Sequence, residues 1–290
     1  MTRLRGTLIA AAVPLFLLSA CAQPGNVADA ASPTAPAPAA GDLVLRADSF
    51  GGFVPPEQVV GAIPSVSVYG DGRVITEGPV PAIYPGPALP NLQVQQITPE
   101  LVRQLVQEGQ TAGVRTGADF GRPNVADAPS TRVTVLTGNG PQSVTVEALN
   151  EGRPDDPMLT PDQQTARTKL AAYVKKLQDL PTAEGMPHPK PYEAQQVAVL
   201  ARPWSKPGND LPRPDTKAWP GPALPGPVLN QNIGIGCVLV SGAEQATVLT
   251  AAAKANALTS WTQGGQKWAI TFRPLLPDEK NGCAVVKGAK

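Results

Sequence analysis

Few residues in this sequence could do chemistry, and their spacing limits what that chemistry is. His188 is the single histidine, held between Pro187 and Pro189 in a loop. Most nucleophilic catalytic sets pair a Ser or Cys with a histidine base, and no serine sits in a Gly-x-Ser-x-Gly context that could use it. One histidine cannot supply the ligands of a histidine-rich zinc site. Asp155-Asp156 lies in a Pro/Gly-flanked turn and Asp278-Glu279 lies between Pro277 and Lys280; adjacent acids on loops read as solvated. A glycosidase needs two carboxylates facing each other across a cleft, which chain spacing does not define. Calcium needs several oxygens around one loop, and Asp119, Asp127, Asp155 and Asp156 are too scattered. Ile233-Gly234-Ile235-Gly236 lacks the third glycine of a dinucleotide motif and reads as the lead-in to a strand. No metal and no cofactor is expected.

Cys21 is the exception. The chain opens with Arg3 and Arg5, runs apolar from Thr7 to Leu18, and then reads Leu18-Ser19-Ala20-Cys21. A run of about a dozen residues is short for a bilayer span, which needs about 20, and suits the apolar region of a secretory signal. Leu, two small residues and Cys resemble the lipobox of bacterial lipoproteins. The resemblance covers only these first residues. It implies that the chain is cut before Cys21 and that the Cys21 thiol carries palmitate-type acyl chains. It also implies a cell-membrane location, lipid-anchored on the extracytoplasmic face; two or more chains hold stably where one does not.

From Ala22 to Gly41 the sequence is rich in Ala, Pro, Ser and Gly, with Asp29 its one charge. It lacks the apolar content to fold and reads as a disordered tether of roughly 3 Å per residue. The expected organisation is therefore a signal at 1–20, Cys21 and tether at 21–41, and an extracytoplasmic domain at 42–290. Removing Arg3 and Arg5 with the signal leaves 22 basic against 23 acidic residues. A near-neutral chain predicts no basic face, so nucleic acid is not an expected partner. With Cys21 lipidated, Cys237 and Cys283 remain; export permits disulfides, and an even pair reads as one bridge, the alternative being two buried thiols.

The elements that must position these residues read as hairpins and helices. Leu43–Arg46 starts a strand. Val66–Tyr69 and Arg73–Ile75 flank Gly70-Asp71-Gly72, and Arg132–Leu136 and Ser143–Glu147 flank Asn139-Gly140, both hairpin signals. Leu92–Gln95 is a further strand. Helices are expected from Thr98-Pro99-Glu100 to Gly113 and from Thr160-Pro161-Asp162 to about Leu180, each with an N-cap followed by proline. Gln196–Leu200, Cys237–Val240 and Lys267–Arg273 read as strands, with Trp268, Ile270 and Phe272 on one core face. Ser241–Glu244 fits a capping box before a helix to about Leu258. Cys237 and Cys283 could staple two sheet neighbours. The fold class is α+β: a mainly antiparallel sheet with about three helices packed on one face. The two hairpin-then-Thr-Pro-helix units suggest an internal duplication.

Pro85-Gly86-Pro87-Ala88-Leu89-Pro90 is repeated as Pro220–Pro225, after Tyr84 and Trp219 respectively. The copies read either as structural connections or as related loops forming a candidate binding surface of Tyr84, Trp204 and Trp219. Residues 203–227 read as a Pro-rich strap joining two lobes, 42–202 and 228–290. Together these features point to a non-enzymatic envelope lipoprotein that binds a partner protein or envelope polymer. The alternative is a carboxylate-dependent cell-wall glycan hydrolase.

Overall fold

The computed structural model describes residues 38–153, 155–208 and 215–287. The signal, Cys21 and the tether up to residue 37 lie outside the described residues, as do 209–214 of the strap. In chain order the elements are β1 (Leu43–Gly51), α1 (Pro56–Gly61), β2 (Val66–Tyr69), β3 (Arg73–Glu77), β4 (Leu92–Gln96), α2 (Pro99–Thr111), β5 (Pro129–Thr137), β6 (Gly140–Glu147), α3 (Pro161–Asp179), β7 (Lys190–Pro191), β8 (Gln196–Pro203), β9 (Thr216–Ala218), β10 (Val228–Asn230), β11 (Ile235–Ser241), α4 (Gly242–Ala252), β12 (Ser260–Gln263), β13 (Gln266–Pro274) and α5 (Cys283–Lys287).

The class is α+β, but the strands divide into two sheets rather than one. The first has seven strands among the described residues, ordered β6-β5-β1-β2-β3-β4-β7, all antiparallel. The second has six, ordered β10-β11-β8-β13-β12-β9, with only β9 and β12 parallel. The sheets part before β8, whereas the sequence reading divides the chain at 203–227. β9 also turns part of that strap into a strand.

Local signals account for the long helices. Thr98 accepts from Leu101 N at 3.2 Å and starts α2. Thr160 and Gln163 form a reciprocal capping box at the start of α3. Alternation in β1, β2, β5 and β6 puts Leu45, Val68, Val133 and Val146 on one face of the first sheet, against Leu105 of α2 and Leu170 of α3. Gly109 permits close approach: a Cβ there would stand 2.8 Å from the Tyr173 hydroxyl and 2.9 Å from Val135. The Tyr173 hydroxyl donates to the Leu105 carbonyl at 2.7 Å, which satisfies it in the core.

In the second sheet Val197, Val199, Ala201 and Phe272 share a face covered by α4, Trp219 and both proline repeats. Trp268 is buried there and Ile270 half-buried, as their alternation predicts. The other face carries Ala198, Leu200 and Cys237 under Val60 of α1 and Val286 of α5. So α1, α5 and the segment Leu275–Glu279 form a layer that also meets the first sheet, where Leu276 packs with Tyr69, Ile75 and Leu92.

Three local expectations need correction. The helix after Ser241 ends at Ala252, because the following residues pair with the first repeat: Ala88 N donates to Ala255 O and Ala257 N to Gly86 O. Ser241 makes no side-chain cap; Gly242 enters α4 with φ of 56° and the serine stays extended. Residues 38–41, assigned to the tether by composition, pack on the turn after β2, where Asp71 N donates to Ala40 O.

Candidate functional site

A cleft of about 460 Å³ opens where the uncovered half of the first sheet meets the middle layer. Its position follows from strand order. β1 lies between β2 and β5, so Arg46, Asp48 and Phe50 face away from α2 and α3. That same register sets Asp48 directly across from Arg132 of β5.

Three arginines line the cleft, each in an ion pair; Asp48 and Glu279 line it too, while Asp278 stands behind Arg46. Arg132 grips Asp48 through Nε and Nη2 at 3.2 and 2.6 Å and lies over the Phe50 ring at 4.9 Å. Arg46 donates through Nη2 to Asp278 Oδ1 at 2.8 Å and through Nε to Ser67 Oγ at 3.1 Å. The buried Tyr69 hydroxyl donates to the same Asp278 oxygen at 2.7 Å. Arg273 and Glu279 form two parallel bonds of 2.6 and 2.7 Å, and each side chain is 5% exposed. Such a fork holds geometry as well as charge. Glu279 also accepts Leu276 N, and Arg273 donates to the carbonyls of Ala62 and Pro274. This pair therefore fastens the end of α1 to β13.

Burial pushes the Asp278 carboxyl up, but the charge of Arg46 and the bonds from Arg46 and Tyr69 outweigh it and hold the group below its ordinary range. Burial, then the Asp278 charge, raises the Tyr69 hydroxyl, which stays a neutral donor. Burial alone lowers the Arg46 guanidinium; Asp278 more than reverses that. The three acids are thus balanced by three arginines, and the rest of the wall is mostly apolar: Phe50, Val54, Val59, Ile63, Val285 and Val286. Phe53, between lining residues Gly51 and Val54, is 94% exposed.

Cys237 and Cys283 are bonded, with Cα atoms 6.0 Å apart. The bond does not join two strands, as the sequence suggested. It ties β11 to the start of α5, and α5 supplies Val285 and Val286 to the cleft.

The other singled-out residues have different fates. Trp219 is not surface but core: it meets Trp261 edge-on at 5.6 Å, and its Nε1 donates to Pro222 O at 2.7 Å. Trp204 is half-buried with Lys267 Nζ 5.3 Å above its ring, whereas Tyr84 is exposed. Ala88, Leu89 and Leu224 of the two repeats pack on one core. His188 is exposed in its loop.

Of the two acid pairs read as solvated, only Asp155 is exposed. Asp156 is buried and accepts Asn124 N and Met158 N. Glu279 lines the cleft and Asp278 holds its lining residue Arg46; no local signal marked them, since their partners lie on β1, β2 and β13. Among the described residues no cluster of His, Cys, Asp and Glu could hold a metal, and no helix is long and apolar enough to cross a membrane.

Arg167 is a second buried cation. It donates to the carbonyls of Phe120 and Gly121, ahead of β5, and of Glu147 and Ala148, at the end of β6, so it grips both ends of the β5–β6 hairpin. It borders a second cleft, but its Nη1 and Nη2 bond backbone carbonyls, and it acts as a clamp between α3 and that hairpin. Compared with protein-family models, with curated proteins and with solved structures, the chain matches none.

Proposed function

We propose that this protein is a lipid-anchored extracytoplasmic binding protein, held to the membrane through Cys21, and that its ligand occupies the cleft between the first sheet and α1 and α5. The anchor rests on the lipobox Leu18–Cys21 ahead of an Ala/Pro-rich stretch. The disulfide Cys237–Cys283 is consistent with an oxidising compartment. One observation carries the binding role: a concave, mostly apolar site whose polar groups are fixed by partners within the chain. Ligand sites have this makeup, at about 300–1,000 Å³.

The same observation favours binding over glycan hydrolysis. A glycosidase needs one carboxyl kept protonated as general acid, and here Asp48, Asp278 and Glu279 each face an arginine.

Two measurements test the reading. Growth with radiolabelled fatty acid should label the wild-type chain and leave Cys21→Ala unlabelled. Hydrogen exchange on the full chain should slow over residues 50–63 and 283–287 when a detergent extract of the envelope is added. Equal labelling of both chains removes the anchor, and unchanged exchange with every envelope fraction removes the binding role.

A further inference from the structure

We propose that the second cleft, beside the start of α3, binds a small hydroxylated carboxylic acid whose carboxylate sits on Arg167. The cleft holds about 580 Å³ and shares no lining residue with the first. Arg153 and Arg167 line it and no acid does. In a chain with 24 basic and 23 acidic residues, that is a local excess of positive charge.

Arg167 carries the argument. It is 5% exposed, yet it forms no ion pair among the described residues. The acids around it are turned elsewhere: Asp156 accepts Asn124 N and Met158 N, Glu147 pairs with Arg122, and Glu151 faces solvent. Burial lowers the Arg167 guanidinium, and the charges of these acids offset that only in part. Carbonyl dipoles satisfy hydrogen bonds without cancelling a charge, and buried charges are ordinarily paired. A guanidinium has five N–H donors. Nη1 and Nη2 give theirs to the carbonyls of Phe120, Gly121, Glu147 and Ala148, which leaves Nε. Nε has no partner within the described residues and is not among the unpartnered side-chain atoms sealed from solvent, so it opens to the cleft that Arg167 lines.

The backbone fixes this direction. Ala148 has φ of 48°, in the left-handed region, and its N donates to Pro129 O at 2.9 Å. Its carbonyl accepts both Arg167 Nη2 and Gly152 N. Such a conformation persists where surrounding contacts over-determine it.

One open N–H on one unmatched cation calls for one anionic oxygen, as a carboxylate supplies. Arg153, exposed and 3.5 Å from Asp155, adds positive charge to the same wall. The rest of the wall suits hydroxyl groups. Thr165 and Thr168 donate to the carbonyls of Pro161 and Gln164, so their oxygens remain as acceptors. The Asn150 side chain has no partner among the described residues. The volume is that of a small-molecule site rather than a bare ion. A sugar acid has this combination of one carboxylate and several hydroxyls.

The test is calorimetric titration of the full-length protein with glucuronate, glucose and acetate in low-chloride buffer, with hydrogen exchange to place the binding. Glucuronate should bind, and exchange should slow over residues 147–153 and 161–171. Glucose should give no heat, and acetate should bind more weakly. Arg153→Gln and Thr168→Val, both exposed changes, should each weaken glucuronate by about fivefold. Arg167→Met should abolish binding; if that variant does not fold, the two exposed variants still decide. No heat from glucuronate at millimolar concentration overturns the inference, and so does glucose binding as tightly. Acetate binding as tightly as glucuronate overturns the hydroxylated class. Slowed exchange over 50–63 and 283–287 instead would place the acid in the first cleft and overturn this site alone.

Discussion

Replacing Glu279 by alanine should strip the charge from one side of a pair that water barely reaches. Both side chains are 5% exposed, so the Arg273 guanidinium would remain in the interior with only the Ala62 and Pro274 carbonyls as partners. Leu276 N would lose its acceptor as well. Breaking a buried pair from one side costs about 3–5 kcal/mol, because a desolvated charge is left unmatched. That is a large share of the ~5–15 kcal/mol that holds a domain together. With a urea slope near 3 kcal/mol/M, the midpoint should fall by about 1–1.7 M. Tryptophan fluorescence is the natural probe, since Trp204, Trp219, Trp261 and Trp268 all lie in or beside the second sheet. The double variant Arg273→Met with Glu279→Leu removes both charges. It should recover much of the loss, short of the ~1–3 kcal/mol for each carbonyl left without a donor. A cost below about 1 kcal/mol for Glu279→Ala would refute the view that this pair is desolvated and fastens α1 to β13.

Reducing Cys237–Cys283, whose residues are 46 apart, should cost about 4 kcal/mol in the chain-entropy view. At about 2–4 °C per kcal/mol, melting should fall by roughly 8–16 °C in reductant, and a shift under about 2 °C contradicts it. Asp278 is held below its ordinary range in the fold, so its contribution is present above the unfolded pKa of about 4 and fades as pH falls through the lower folded value. Denaturation midpoints should therefore drop less between neutral pH and about pH 3 in Asp278→Asn than in wild type; equal slopes argue against an ionised Asp278. Thr160→Ala removes the hydroxyl that accepts Gln163 N at the start of α3, leaving the reciprocal bond from the residue 160 backbone N–H to Gln163, and should cost about 1 kcal/mol in urea unfolding. Trp219→Ala should cost about 3–5 kcal/mol, as for a large core deletion; a near-neutral result would mean the ring is not packed on Trp261.

Several features were legible because their causes are local. Thr98-Pro99 and Thr160-Pro161 start helices since a hydroxyl and a fixed φ act within one turn. Asn139-Gly140 folds a hairpin because the residue closing its turn must tolerate positive φ, and Gly140 has φ of 96°. Alternation placed Trp268 and Phe272 in the core, and an even pair of cysteines left once Cys21 is set aside implied their bond. Trp219 escaped the sequence reading because proline-rich flanks say how the backbone runs, not what it runs over. Two sheets were missed for a similar reason: hairpins specify neighbours, not which hairpins share a sheet.

The candidate site was illegible in full. Its three ion pairs join residues separated by 84, 232 and 6 positions. Composition and short-range pattern, by themselves, determined the α+β class, the two longest helices, two hairpins and the pairing of the two cysteines. Tertiary structure alone decided that β1 enters between β2 and β5, and from that insertion come the Asp48–Arg132 facing, the docking of Asp278 on Arg46, and the cleft itself. The division has a physical cause: turn and cap energies depend on a handful of adjacent residues, whereas strand order is chosen by burying whole faces at once, a quantity no local window contains.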